Sequence, residues 1–78
     1  MRVVIAKVDQ VFFDGEAYSL TAPGSDGEMT ILTEHMPLIT TLKAGELLVR
    51  EHQGDEPKRF PVTSGVLEVR HDGATVIL

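Results

Sequence analysis

Pro23-Gly24-Ser25-Asp26-Gly27-Glu28-Met29-Thr30-Ile31-Leu32-Thr33-Glu34-His35-Met36-Pro37-Leu38-Ile39-Thr40-Thr41-Leu42-Lys43-Ala44-Gly45 is the stretch that decides the fold class. Turn signals around Gly24 and around Pro37 bracket a short run, Met29 to Leu32, that alternates only in part. Beyond Pro37 the alternation is regular, with Leu38, Thr40 and Leu42 on one face and Ile39, Thr41 and Lys43 on the other. A period of two argues strand and not helix. The stretch therefore reads as loop, strand, loop, strand, with polar groups gathered in the loops.

The same grammar extends in both directions. Upstream, Val3 to Val8 reads as a strand that is apolar on both sides, a pattern of extensive burial. Val11-Phe12-Phe13 is a short apolar run, and Asp14-Gly15 after it is a strong turn dipeptide. Glu16 to Ala22 alternates, with Tyr18, Leu20 and Ala22 against Ala17, Ser19 and Thr21. Downstream, Glu46 to His52 and Pro57 to Thr63 are strands joined by the polar Gln53-Gly54-Asp55-Glu56 connection. Pro61 has no N–H to donate, which puts its strand at an edge or at a bulge. Val66 to His71 and Ala74 to Leu78 flank Asp72-Gly73, the clearest hairpin signal in the chain. The expectation is one all-β domain over residues 1–78, a small β-sandwich or flattened barrel of about nine to ten short strands. Hairpin turns are expected at Asp14-Gly15 and Asp72-Gly73. Val3, Ile5, Leu20, Ile31, Leu38, Leu42, Val49, Leu67, Val69 and Val76 are expected to supply most of the core.

Bulk properties narrow the function. With 78 residues, no cysteine and only four aromatics, the core is aliphatic and carries no disulfide staple. A partner surface could supply the burial that so small a domain lacks. The net charge of −5 disfavours nucleic acid and anionic lipid, which both need clustered cations, and suits a basic protein partner or simple solubility. No apolar run approaches the roughly 20 residues that span a bilayer, and the N-terminus is too soon interrupted for a signal peptide.

Catalytic chemistry finds little footing. Asp9, Asp14, Glu16, Asp26, Glu28 and Glu34 sit mostly at expected turns, where carboxylates are solvated and not driven apart in pKa. His35, His52 and His71 lack the close pairing of zinc ligands. Ser19, Ser25 and Ser64 have no nucleophile-elbow context. Gly24 to Glu28 is glycine-rich but lacks the G-K-[ST] ending of a phosphate loop, so Gly24 and Gly27 read as turn residues that need positive φ. No catalytic residue, cofactor or metal is expected.

The stretch from Pro23 resembles the epsilon subunit of the F-type ATP synthase. That family carries P-G-x-x-G-E-x-x-I-L-x-x-H-x-P-L followed by a lysine and a glycine. The matching residues here are Pro23, Gly24, Gly27, Glu28, Ile31, Leu32, His35, Pro37, Leu38, Lys43 and Gly45. Phe13, Gly15 and Glu16 are similar to the family's F-x-G-E turn. Val62, Ser64, Gly65, Val66, Glu68 and Val69, then Thr75, Val76, Ile77 and Leu78, continue the likeness over nearly the whole chain. The resemblance implies an N-terminal β-sandwich that is a non-catalytic rotor subunit. It would link the gamma subunit to the c-ring and support coupling of ion flow to ATP synthesis.

In that frame Ser25, Asp26 and Glu28 would contact the polar loops of the c-ring. Lys7, His35 and Thr40 would lie towards gamma. The subunit would sit peripherally on the cytoplasmic face of the inner membrane, held there by the complex. Two positions depart from the pattern. Thr33-Glu34 stands where many members have Pro-Gly, and Lys7 stands where a small polar residue is usual. The family's C-terminal helical hairpin, which can inhibit ATP hydrolysis, has no counterpart in these 78 residues, so the coupling role is expected without the inhibitory one. The alternative reading is a stand-alone acidic β-sandwich that binds some other protein.

Overall fold

The alternating segments form nine strands: β1 (Arg2–Lys7), β2 (Gln10–Glu16), β3 (Ser19–Gly24), β4 (Gly27–Leu32), β5 (Leu38–Leu42), β6 (Gly45–Arg50), β7 (Lys58–Val62), β8 (Gly65–Arg70) and β9 (Gly73–Ile77). They come from a computed structural model that describes residues 1–78 and contains no helix. Hydrogen-bonded neighbours run β2-β1-β9-β8-β5-β3-β6-β7, with β4 on the remaining edge of β3. All pairs are antiparallel except β1 with β9, the first and last strands, which run parallel.

Two layers result. One is β2-β1-β9-β8-β5 and the other is β4-β3-β6-β7. They are joined where the chain leaves β5, bends through Lys43-Ala44 and enters β6. At that corner a single ladder pair, Gly24 with Leu42, links the layers. A strand that switches sheets at a bend is how such sandwiches turn their corners. On the far side, β2 and β7 meet through side chains. The Phe13 and Phe60 rings pack edge to face with centroids 6.1 Å apart, and the Lys58 ammonium lies 5.6 Å from the Phe13 centroid. The sheet is therefore nearly a closed barrel.

The core between the layers is aliphatic, as the composition requires. Nine of the ten expected core residues are buried, and Leu38 is half-buried at the mouth of the β4–β5 loop. Leu47 on β6 is fully buried too, facing inward with Val49. Burying each such Leu or Ile contributes about 1.5–3 kcal/mol, so no one of them dominates. Pro61 lies on β7, which is an edge strand as its missing donor demands.

Three local readings need correction. Asp14-Gly15 does not turn. Both residues lie inside β2, paired with Val4 and Val3, and the hairpin turn falls earlier, at Val8-Asp9. The dipeptide's turn preference loses to the ladder with β1 and to the ion pair between Arg2 and Asp14 (2.6 Å). Phe12 is unpaired there, because the register shifts between Ile5 and Ala6 as a bulge.

The second correction concerns β3. It is not half-buried; every residue from Ser19 to Gly24 is buried. It is flanked by β4 on one edge and by β6 and β5 on the other. Its outward residues Ser19, Thr21 and Pro23 are small and sink between larger neighbours. The Thr21 hydroxyl finds its partner across the ladder, in Thr30 Oγ1 at 3.0 Å.

The third concerns glycine. Only Gly27 has positive φ, at 137°. Gly24 is needed for space instead, since a Cβ there would lie 2.8 Å from the Gly27 carbonyl oxygen. The loop thus shrinks to Ser25-Asp26, with Gly24 paired to Gly27. Asp72-Gly73 does mark a hairpin, shifted by one residue: His71-Asp72 connect, and Gly73 opens β9 opposite Arg70.

Candidate functional site

The β3–β4 hairpin gathers Ser25, Asp26 and Glu28 at one end of the sandwich. Its tip is held in place. The Ser25 amide donates to the Thr41 carbonyl at 3.0 Å, and the Ser25 hydroxyl lies 2.6 Å from Thr41 Oγ1. The Lys43 amide donates to the Pro23 carbonyl at 2.9 Å. These bonds tie the tip to β5 and to the corner strand, so Ser25 serves the loop's shape. Asp26 and Glu28 are exposed, and neither forms an ion pair within the chain. A rigid loop presenting two free carboxylates is suited to meeting cationic or amide groups of another molecule.

Beside Glu28 lies an open depression of about 460 Å³, lined by Pro23, Lys43, Glu46, Leu48 and Arg59 among others. Arg59 and Glu46 neutralise each other at 3.1 Å. Lys43 has no carboxylate within ion-pair distance, so the depression presents one free charge of each sign.

Lys7, His35 and Thr40 all belong to the other layer or to the loop that feeds it, yet they do not cluster. Lys7 ends β1 on the same end as Ser25, exposed, with its ammonium 6.0 Å from the Phe12 centroid. His35 sits at the opposite end, half-buried in the β4–β5 loop. Its Nδ1 is 2.8 Å from the Met36 carbonyl oxygen, and its amide donates to the Leu32 carbonyl at 3.2 Å. Just before it, Glu34 has φ of 65°. This is the left-handed region that glycine occupies without steric cost, and Glu34 stands where the family pattern has glycine. Thr40 is half-buried and has the parity of Leu38 and Leu42. The side chains that point outward from β5 are Ile39 and Thr41.

His52 closes its own loop on Asp55, with Nδ1 3.1 Å from the carboxylate, and His71 lies 3.8 Å from Glu34. No group of three histidine or carboxylate side chains is placed to share a metal ion.

The sequence reading missed one surface. Register places Thr41, Val66, Ile77, Ala6 and Val11 in a single row across β5, β8, β9, β1 and β2, on the outside of the layer. Ile39 is 74% exposed, Val11 63%, Ile77 52% and Val66 41%. The readable signal was an apolar residue on the polar side of each strand. Its meaning depends on alignment between strands far apart in sequence.

Comparison with known proteins bears on all of this. Residues 1–78 match the family model described as the ATP synthase delta/epsilon chain β-sandwich domain. The chain belongs to that family. It is 35% identical over 77 residues to the ATP synthase epsilon chain 2 of Burkholderia orbicola, covering 99% of this chain and 51% of that protein. It is 40% identical over 76 residues to the ATP synthase epsilon chain of Desulforamulus reducens, covering 97% of this chain and 56% of that one. The chain thus spans about half the length of the curated relatives it matches. Among solved structures, a chain of the Euglena gracilis mitochondrial ATP synthase, solved as OSCP/F1/c-ring, superposes with a TM-score of 0.85 at 19% identity. The match covers 96% of this chain and 48% of that chain. A chain of the Tetrahymena thermophila mitochondrial ATP synthase central stalk and c-ring gives 0.77 at 20% identity, covering 99% and 61%. At these identities the likeness establishes the shared sandwich fold.

Proposed function

We propose that this chain is the sandwich domain of a non-catalytic stalk subunit of an F-type ATP synthase. It links the gamma subunit to the c-ring and so supports coupling of ion flow to ATP synthesis. The observation that carries this reading is the family match, which runs through every residue from 1 to 78. The geometry supports it by keeping two sets of residues apart. Ser25, Asp26 and Glu28 sit together on one rigid hairpin and are assigned to the polar loops of the ring. Lys7, His35 and Thr40 belong to the β1–β5 side and are assigned to gamma. The subunit is then peripheral to the membrane on the cytoplasmic side, held through its partners.

Exposed ion pairs contribute only about 0–1 kcal/mol each, so Glu28 tunes the ring contact and does not hold the complex together. The test is affinity purification of the tagged chain from its own cells, followed by ATP-driven proton pumping in membrane vesicles. Gamma and ring subunits should co-purify. Glu28→Lys should reduce pumping at low salt, because like charges would meet across the contact. Recovery of neither partner would overturn the reading. Normal pumping by Glu28→Lys would remove the hairpin from the ring contact.

A further inference from the structure

We infer that the outer face of β8, β9, β1 and β2 is a charge-neutral docking surface that fits an apolar, uncharged patch of the gamma subunit. This deepens the functional reading above and rests on it.

The argument starts from the register. Two rows run across this face. One is Thr41, Val66, Ile77, Ala6 and Val11. The next is Ile39, Glu68, Thr75, Val4 and Asp14. The first row has no charge at all. The charges around the second are already paired within the chain. Arg2 on β1 holds Asp14 on β2, with Nε 2.9 Å from the carboxylate. Arg70 on β8 holds Glu68 at 3.2 Å and donates to Thr75 Oγ1 at 3.0 Å. Glu16, at the end of the face, lies 3.5 Å from the Met1 amino group. The two arginines and the two carboxylates cancel, so the chain's net charge of −5 resides elsewhere.

That distribution determines the kind of partner. A basic surface, which the overall charge suggests, would find no free carboxylate here. An apolar patch would cover Val11, Ile77 and Val66, and the pre-formed pairs would cost little to bury because each charge already has its counter-ion. Binding driven by apolar burial depends weakly on salt, whereas contacts between free charges are screened. The β3–β4 hairpin, with Asp26 and Glu28 unpaired, is the opposite case.

The experiment measures binding of the 78-residue chain to the gamma-containing soluble assembly of the same synthase, stripped of its own copy, by biolayer interferometry. It compares salt of about 0.05 M with about 0.5 M, across which the screening length falls from about 14 Å to about 4 Å. The expected dissociation constant changes less than about threefold over that range, the mark of an interface with few unpaired charges. Ile77→Glu and Val11→Glu, exposed in the free chain, should leave its melting temperature unchanged. They should weaken binding by more than about 30-fold, since each would bury an uncompensated charge. Glu68→Gln should leave stability unchanged too, but should weaken binding by about fivefold or more, because Arg70 would be buried unpaired.

A dissociation constant that rises more than about tenfold at high salt would overturn the neutral-face inference while leaving the docking reading intact. Wild-type affinity in a folded Ile77→Glu variant would overturn it as well. No binding at either salt would overturn the docking reading itself. Self-association of the chain that Ile77→Glu abolishes, with gamma binding unchanged, would assign the face to a second copy and overturn the inference.

Discussion

Replacing Glu34 by glycine should stabilise the domain. Glu34 is the one non-glycine residue with positive φ, at 65°, and its side chain is 73% exposed. A left-handed conformation costs an ordinary L-residue about 1–2 kcal/mol, which glycine avoids. Glycine brings back about 0.5–1 kcal/mol through the greater freedom of the unfolded chain. The lost carboxylate gives up its contact with His71, 3.8 Å away and well solvated on both sides. A pair so long and exposed lies at the bottom of the 0–1 kcal/mol range, so its loss is about neutral. The balance is about 0.5–1 kcal/mol in favour of Glu34→Gly, or about 2–8 °C in melting temperature for a domain of this size. Glu34→Ala is the control, since it removes the carboxylate but keeps the strained backbone, and it should melt within about 2 °C of wild type. Thermal unfolding followed by circular dichroism reads all three. If Glu34→Gly melts below Glu34→Ala, the loop is not strained at this residue and the argument fails.

Leu67→Ala and Ile31→Ala, both fully buried in wild type, should each cost about 2–5 kcal/mol. That is a large share of the roughly 4–12 kcal/mol open to a chain of this length, so a cooperative melt near the wild-type temperature would contradict their core placement. Gly73→Ala should destabilise by about 1–3 kcal/mol through overpacking. The new Cβ would stand 2.5 Å from the Arg2 carbonyl oxygen, so β1 and β9 must separate. Faster amide exchange confined to those two strands would confirm this, and unchanged exchange would refute it.

The fold class was legible because alternation is a local property. Leu67 and Val69 against Glu68 and Arg70 announce a half-buried strand wherever it lies in the sheet. Turn dipeptides were less dependable, since a turn preference is small beside a ladder. Asp14-Gly15 was overruled by its pairing with β1, and Asp72-Gly73 was moved by one residue. The parallel pairing of β1 with β9 had no local signal at all. It joins residues about 70 positions apart and follows from closing the barrel, not from either segment.

The binding surfaces divide in the same way. Ser25, Asp26 and Glu28 were legible as a group because one hairpin carries them. The β8-β9-β1-β2 face was not, because it is assembled by register from residues 66, 77, 6 and 11. Its charge state was hidden further, since a total of −5 says nothing about which carboxylates already hold an arginine. Once Arg2–Asp14 and Arg70–Glu68 are set aside as internal pairs, the two surfaces differ in kind, one apolar and neutral, the other small, rigid and acidic. A subunit built this way would keep its grip on gamma as ionic strength rises, and the Glu28 side of the link would weaken first. Salt should therefore loosen coupling to the ring before it releases the chain from the rotor. Loss of the chain at the same salt that first impairs pumping would show that a single kind of contact holds both ends.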